Sequence, residues 1–160
     1  MPPNSQSNIS QLPAPKLEDA VANWAGEGVR FTCQAGCTRC CGGAPGDVFV
    51  TQDEIDQIAA FLKIDKSEFE DSFVRHYSSG LMSLTERPNG DCVMLEAQGC
   101  SVYSVRPKQC RDYPFWPEIM KSRFSWLKEA QRCPGINVGN ELYSVPKIAN
   151  LLKSQHSSTI

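Results

Sequence analysis

Four of the eight cysteines in this chain lie within nine residues, from Cys33 to Cys41. Their sulfur atoms can converge on one centre only if the backbone turns tightly between them. Gly36 and the adjacent Gly42 and Gly43 supply the permissive backbone dihedrals that such turns require. No histidine stands in this loop, so an ion bound there would have sulfur ligands. Sulfur suits zinc, iron or an iron–sulfur cluster, and the first prediction is therefore a metal-binding loop.

The other four cysteines are scattered downstream, at Cys92, Cys100, Cys110 and Cys133. Zinc sites commonly use two Cys-x2-Cys knuckles, but only Cys37 and Cys40 have that spacing. The remaining cysteines would enter a site singly from later parts of the chain, as also happens in iron–sulfur proteins. Because the adjacent Cys40 and Cys41 strain the loop, we expect Cys110 and Cys133 to supply ligands. Zinc and iron both remain open as the metal.

The first sixteen residues are rich in Pro, Ser, Asn and Gln and lack the basic start and apolar run of a signal peptide. We expect residues 1–16 to form a disordered arm. No apolar stretch approaches the roughly 18 residues of a membrane span, which predicts a soluble, cytoplasmic protein without a membrane partner. Thiols stay reduced in that compartment. A metal site is therefore favoured over disulfide bonds, the alternative that an even number of cysteines allows.

The formal net charge is −2, from 16 Lys and Arg against 18 Asp and Glu. This balance gives no electrostatic basis for binding nucleic acid or an anionic membrane. Thiolate ligands would make the protein more acidic unless cations compensate. Basic residues within four positions of a cysteine include Arg39, Arg106, Lys108, Arg111 and Arg132. Of these, Arg106 and Arg111 are candidates to hydrogen-bond the sulfurs, with a solvated surface role as the alternative.

Apolar residues at helical spacing predict a short amphipathic helix over residues 17–25. Thr51 and Glu54 have the spacing of a capping box and precede an apolar stripe, so a second helix is predicted to begin after Thr51. A third helix is predicted to begin after Asp65 and to carry Tyr77 on its apolar face.

Brief strands are predicted over residues 48–50, 81–86 and 92–95. The last two are separated by a segment that contains Asn89 and Gly90, a strong turn signal. We therefore expect them to pair as a hairpin that carries Cys92 at the start of its second strand.

Three prolines between residues 104 and 117 exclude a continuous helix or strand there and predict an ordered loop or single helical turns. A helix is predicted over residues 117–131. Its inward residues would be Ile119, Met120, Phe124 and Leu127, with Trp126 as a further candidate. A last helix is expected after Ser144, and residues 154–160 would form a frayed tail. These elements predict one α+β domain over residues 17–153, with short helices around a small antiparallel hairpin and a metal centre beside the hairpin.

The spacing of Cys33, Cys37 and Cys40 matches the three-cysteine signature of radical S-adenosylmethionine enzymes. Those enzymes carry the signature in a large barrel of alternating strands and helices, which this short chain does not have. The sequence also lacks a glycine-rich nucleotide loop and a Ser-His-Asp constellation. A metal-binding protein with a structural or metal-handling role is therefore favoured. The alternative is an iron–sulfur redox enzyme or an S-adenosylmethionine-dependent group-transfer enzyme.

The segments around the cysteines carry a family resemblance. They are residues 31–41, 87–92, 99–103, 106–111, 114–117 and 133–135. Together they resemble the YkgJ-type cysteine-cluster family, a zinc- or iron-chelating domain with eight characteristic cysteines; a related cluster occurs in flagellin lysine methylases. The resemblance covers residues 31 to about 145 and implies metal chelation but no particular reaction. The ligands that it implies are Cys33, Cys37, Cys40, Cys41, Cys92, Cys100, Cys110 and Cys133.

The remaining candidate residues have structural alternatives of their own. His76 and His156 are the two histidines, and we expect surface positions for them rather than metal ligation. Asp112 and Tyr113 stand beside Cys110 and are candidates to orient the ligands. The alternative for both is to serve the turns of a proline-rich loop.

Overall fold

Short helices alternate with strands of two or three residues along this chain. The computed structural model describes residues 16–156. In chain order the elements are α1 (Leu17–Ala25), β1 (Gly28–Arg30), β2 (Val48–Phe49), α2 (Gln52–Leu62), α3 (Lys66–Phe73), β3 (Val74–His76), β4 (Met82–Leu84), β5 (Leu95–Glu96), β6 (Gly99–Cys100), a 3-10 turn (Tyr103–Val105), α4 (Lys108–Asp112), α5 (Pro117–Met120), α6 (Arg123–Ala130), β7 (Leu142–Ser144) and α7 (Val145–His156).

One hydrophobic cluster, the terminal core, joins α1 to the C-terminal third of the chain. Trp126 is its largest fully buried side chain, and Val21 and Ile148 belong to the same cluster. β1 and β7 pair antiparallel beside it, with Val29 opposite Tyr143. The sequence does not predict this pair, because three residues are too few to show an alternating pattern.

A second cluster, the central core, is built by the middle of the chain. Ile55 and Ile58 on α2, Phe69 on α3 and Leu84 on β4 are fully buried in it. The strands beneath these helices form a sheet in the order β2-β4-β3, and both pairings are antiparallel. Short helices packed on small antiparallel sheets confirm the predicted α+β class.

The helix-start signals of the sequence are correct. α1 spans Leu17–Ala25 as predicted. At α2 the capping box is closed, since the Thr51 hydroxyl accepts the Glu54 N–H at 3.3 Å and the Glu54 carboxylate accepts the Thr51 N–H at 2.9 Å. Asp65 caps α3 by accepting the N–H of Ser67 at 2.9 Å. Each cap satisfies backbone donors that would otherwise lack partners at the helix start.

The predicted end of the third helix is wrong. α3 stops at Phe73, and the chain continues as β3, in which Val74 pairs with Leu84 of the central strand. A β-branched residue favours this extended conformation, and pairing with β4 satisfies its backbone. Tyr77 therefore follows a strand instead of ending a helix. His76 lies on β3, exposed, with Nε2 3.9 Å from the Glu70 carboxylate.

The predicted hairpin is reduced to its turn. Arg87 N–H donates to the Asp91 carbonyl at 2.7 Å, and Glu86 and Cys92 form a single antiparallel bridge. The pairing extends to Val93, whose N–H donates to the Thr85 carbonyl at 3.0 Å, and stops before β4 because β2 and β3 already occupy both edges of that strand. The chain after Cys92 forms the separate two-stranded sheet of β5 and β6 instead.

The helix predicted over residues 117–131 is interrupted. Ser122 begins a new helix, and its hydroxyl accepts the Ser125 N–H at 3.1 Å. Of the residues predicted to face inward, Ile119, Met120 and Trp126 are buried, whereas Phe124 and Leu127 are exposed. Because α6 starts anew after Ser122, its faces are rotated relative to those of an uninterrupted helix. Trp126 therefore enters the core at 2% exposure, while Phe124 stays 76% exposed.

The last helix, α7, begins after Ser144 as predicted and continues to His156, into the segment expected to be a frayed tail. The predicted arm over residues 1–16, except Lys16, lies outside the described residues. So do residues 157–160 and the side chain of His156. Within residues 16–156, helices of the length and apolar content needed to span a membrane are absent.

Candidate metal centre

The cysteine loop, residues 33–41, leads from the terminal core toward the central core. It consists of two successive turns. Cys37 N–H donates to the Gln34 carbonyl at 3.1 Å, and Cys41 N–H donates to the Thr38 carbonyl at 2.9 Å. Gly36 lies between the first two cysteines with a φ of 75°, as expected for a tight turn. Cys33 and Cys40 are exposed, whereas Cys37 and Cys41 are half-buried.

The start of the loop is anchored to the segment that carries Cys133. Thr32 N–H donates to the Gly135 carbonyl at 3.1 Å. A Cβ at position 135 would lie 2.4 Å from the Thr32 carbonyl oxygen, so the two backbones can approach only because this residue is glycine. The Arg132 guanidinium also donates two hydrogen bonds of 3.4 Å to the Arg39 carbonyl. The loop is thereby held to the Cys133 segment at two points.

The end of the loop is anchored to the Cys92 segment. Cys92 N–H donates to the carbonyl of Cys41 at 2.8 Å, which places the two residues side by side. In the small sheet that follows, Cys100 pairs with Leu95. Cys41, Cys92 and Cys100 are therefore brought into one region by backbone contacts.

Cys110 lies on α4, one of the single helical turns expected in the proline-rich segment. The Lys108 N–H donates to Glu54 Oε1 at 2.7 Å, so the carboxylate that caps α2 also begins α4. Gln109 Oε1 accepts the Phe49 N–H at 2.9 Å. These two contacts hold the helix that carries Cys110 against the central core.

The adjacent Cys40 and Cys41 share a hydrogen bond, with their sulfur atoms 3.8 Å apart. This bond is the main cause that lowers the pKa of Cys40 to about 6, and the positive charges of Arg132 and Arg106 lower it further. The same bond, together with partial burial, raises the pKa of Cys41. The lowered pKa favours the thiolate form of Cys40, which is the form that binds metals.

Burial raises the pKa of the thiols of Cys92, Cys100 and Cys110, the last to about 12. Cys110 is also affected by the negative charges of Cys92, Cys100 and Cys40. These thiols are close enough to oppose one another's ionisation. A cation among them would reverse the effect, because it stabilises each thiolate that burial and repulsion disfavour.

Cys133, the one buried cysteine, interacts with a different set of groups. Burial is the main cause that raises its pKa, and the charge of Cys37 adds to this. Cys33 follows Thr32, whose backbone is bound to the Cys133 segment. The thiols thus lie in two neighbourhoods, one at each end of the loop. Cys40 acts on Cys92, Cys100 and Cys110 at the end of the loop, and it is also affected by the charge of Arg132, the residue before Cys133.

All eight cysteines are free thiols, so the disulfide alternative is not observed. In the described part of the chain, no three Cys, His, Asp or Glu side chains converge closely enough to hold a metal ion. The thiols are therefore neighbours without being arranged as a coordination sphere. The donor atoms of these side chains fit zinc or iron, because structural zinc sites and iron–sulfur clusters use sulfur ligands.

The polar residues proposed around the cysteines form their hydrogen bonds and ion pairs with groups other than sulfur in three cases. Arg106 lies near the thiols, although its hydrogen bond goes to the Tyr103 carbonyl at 2.7 Å. Arg111 donates to the Arg106 carbonyl at 2.6 Å. Asp112 is buried and forms an ion pair with Lys108. These contacts stabilise the backbone of the proline-rich segment.

Tyr103 is a neighbour of the thiols that sequence reasoning did not single out. Its hydroxyl lies 3.9 Å from Cys33 Sγ, across a separation of 70 residues. Spacing along the chain contains no signal for such a contact. Tyr113 has its hydroxyl 2.6 Å from Glu129 Oε1, and burial is the main cause that raises the pKa of Tyr113.

Short helices, small antiparallel sheets and eight free cysteines define a small cysteine-rich α+β protein. Residues 32–134 match the family model CxxCxxCC, described as "Putative zinc- or iron-chelating domain". This match covers well over half of the chain and includes all eight cysteines, so the chain belongs to that family. The resemblance stated from the sequence is confirmed.

A relative is also found in an archaeon. The chain is 28% identical over 118 residues to "Uncharacterized protein MJ0661" of Methanocaldococcus jannaschii, covering 71% of this chain and 62% of that relative. The chain therefore spans less than two thirds of that relative's length. No solved structure shows significant similarity to this chain.

Proposed function

We propose that this chain is a metal-chelating protein that binds zinc or iron through all eight cysteine thiols, in two groups. The observation that supports this most directly is the pair of backbone contacts at the ends of the cysteine loop. Thr32 is bound to Gly135, and Cys41 is bound to Cys92. A loop that only connected two cores would have no need to be hydrogen-bonded to two other cysteine-bearing segments.

The first proposed group contains Cys33, Cys37, Cys40 and Cys133, and the second contains Cys41, Cys92, Cys100 and Cys110. Four sulfur donors complete a tetrahedral zinc site or hold one iron–sulfur cluster. Side-chain rotation must bring the thiols closer together when metal binds. A domain over residues 17–153 would carry this function, and its thiols would require a reducing compartment such as the cytoplasm.

The test is the metal content of protein purified without oxygen. If zinc is the metal, roughly two ions per chain are expected from two four-thiolate sites. If iron is the metal, visible sulfur-to-iron absorption is expected, and sulfide accompanies the iron where it forms an iron–sulfur cluster. Less than one metal ion per two chains, after expression with added zinc and iron, would contradict the proposal.

Single substitutions test the downstream ligands. We expect Cys110→Ser and Cys133→Ser each to lose metal, because a hydroxyl is a poor replacement for a thiolate on zinc or iron. Each should mainly empty its own group. The control is His76→Gln. Histidine is a residue type that often binds metals, but His76 lies on β3 beside Glu70, so its substitution should leave the metal content unchanged. Full metal content in both cysteine variants would show that the downstream cysteines are not ligands.

A further inference from the structure

Tyr103 covers the exposed side of the cysteine loop. It lies in the 3-10 turn after β6, remains 51% exposed, and points its hydroxyl at Cys33 Sγ, 3.9 Å away. Cys33 is itself exposed. A hydroxyl at this distance can donate to sulfur, whose hydrogen bonds are longer than those of oxygen. The side chain therefore contributes little to either core and has its polar end at a proposed ligand.

Arg106 holds Tyr103 in this position. Its guanidinium carbon lies 3.9 Å from the centre of the Tyr103 ring, and its Nη1 donates to the Tyr103 carbonyl at 2.7 Å. The carbonyl of Arg106 in turn accepts a hydrogen bond of 2.6 Å from Arg111. Ring, guanidinium and backbone are thus fixed relative to one another.

We propose that Tyr103 and Arg106 are positioning residues of the metal centre: the Tyr103 hydroxyl donates to Cys33 Sγ, and the Arg106 guanidinium, stacked on the Tyr103 ring, holds the hydroxyl there. This inference rests on the proposed function and concerns how that same site retains its metal. Four thiolates around a divalent ion carry a net charge of about −2, which favours protonation and ligand loss. A hydrogen-bond donor held beside the sulfur opposes both.

A purely structural role would predict different behaviour. If the pair only closed the 3-10 turn, the contact between Arg106 and the Tyr103 carbonyl would suffice, and the hydroxyl would contribute nothing. The aromatic ring alone would then support the guanidinium. Tyr103→Phe separates the two roles, because it keeps the ring under Arg106 and removes only the hydroxyl.

The experiment measures how fast zinc leaves the loaded full-length chain when a chromogenic chelator is added in excess. Partners of metal ligands typically contribute 10–100-fold to metal affinity. We expect Tyr103→Phe and Arg106→Gln each to release zinc about 10-fold faster than wild type. Arg106→Lys, which restores the charge without the planar fork, should recover part of the difference.

The matched control is Tyr77→Phe. Tyr77 also stands beside an arginine, Arg75, and contacts Asp47 rather than a thiol. Its variant should release zinc at the wild-type rate. A change there equal to that of Tyr103→Phe would show a general effect of losing a tyrosine hydroxyl and would overturn the assignment.

Cobalt-loaded protein provides a readout that folding does not affect. Loss of a hydrogen bond to sulfur raises the energy of its lone pair, so the thiolate-to-cobalt absorption of Tyr103→Phe should move to longer wavelength. Unchanged bands together with an unchanged zinc release rate would overturn this inference while leaving the proposed function intact. Failure of the wild-type chain to bind zinc or cobalt would instead overturn the proposed function, and this inference with it.

Discussion

At the scale of single residues, Gly135 decides whether the cysteine loop can meet the segment that carries Cys133. A side chain there would meet both the Thr32 carbonyl, at 2.4 Å, and the Phe31 ring, at 3.0 Å. The Thr32 N–H to Gly135 carbonyl hydrogen bond is 3.1 Å long and depends on that approach. The glycine is therefore required by the distance between two backbones rather than by a turn.

We expect Gly135→Ala to reduce the free energy of unfolding by about 1–3 kcal/mol, the usual effect of forcing an extra methyl group into a packed site. Chemical denaturation of the metal-loaded protein measures this. Gly46→Ala is the control, because a Cβ at Gly46 has no atom within 4 Å, and it should stay within about 0.5 kcal/mol of wild type. Equal stability of the two variants would show that the loop is not held to residue 135.

At the scale of secondary structure, the break at Ser122 decides which face of α6 enters the terminal core. Trp126 is buried at 2% exposure, and its indole N–H donates to Asn137 Oδ1 at 3.0 Å. Phe124, two residues away on the opposite face, is 76% exposed. Uninterrupted helical spacing from Pro117 places Phe124 inward together with Trp126, because it ignores the new start of the helix.

Trp126→Ala should lower the free energy of unfolding by about 3–5 kcal/mol, since it removes a large buried side chain and leaves a cavity. Phe124→Ala should change it by no more than about 0.5 kcal/mol, because its ring is already in solvent. Thermal or chemical unfolding of the two variants compares them directly. A larger loss from Phe124→Ala than from Trp126→Ala would mean that α6 has the rotation predicted from the sequence.

An exposed ion pair connects α2 to α3. Lys66 Nζ lies 2.8 Å from Asp56 Oδ1, and Gln52 adds a hydrogen bond to the same carboxylate. The Lys66 ammonium, as the main cause, lowers the pKa of Asp56, and Asp56 raises that of Lys66. The pair therefore contributes to stability only where both groups are charged.

The sign of the resulting pH dependence follows from the lowered pKa of Asp56. Its contribution is complete above the unfolded-state pKa, near 3.9, and is lost as pH falls through the lower folded-state value. We expect the stability difference between wild type and Asp56→Asn to be small at pH 7 and to vanish once pH has fallen below the lowered folded-state pKa of Asp56. Lys66→Met should remove the same acid-dependent difference. A difference that persists unchanged in acid would contradict the ion-pair explanation.

At the scale of the whole molecule, two separate cores are joined through the cysteine loop. The terminal core contains Trp126 and Ile148, and the central core contains Ile55 and Phe69. Most elements are shorter than the lengths at which helices or hairpins are stable alone. A metal bound at each end of the loop would link both cores to it.

Removing the metal should therefore destabilise the whole chain. Structural metal sites contribute on the order of 10 kcal/mol each, so we expect a chelator to cause unfolding or a large fall in Tm. Circular dichroism during heating, with and without chelator, measures this, and added zinc should restore the transition if zinc is the metal. An apo-protein with the Tm of the loaded protein would show that the metal has no structural role.

The sequence by itself determined the features that depend on near neighbours. Thr51 and Glu54 start α2, and Asp65 starts α3, because each cap bonds a backbone N–H within three residues. The turns between Cys33 and Cys41, the α+β class and the family are likewise evident from local patterns. The eight-cysteine ligand set was inferred from the family resemblance and stays a prediction.

Only the tertiary structure decided which distant groups meet. The contact of Tyr103 with Cys33, the pairing of β1 with β7 and the occupation of both edges of β4 all join segments far apart in the chain. Strands of two or three residues have too little pattern to specify their partners. The choice is made by burial of whole faces and by competition for backbone hydrogen bonds, which are properties of the assembled chain.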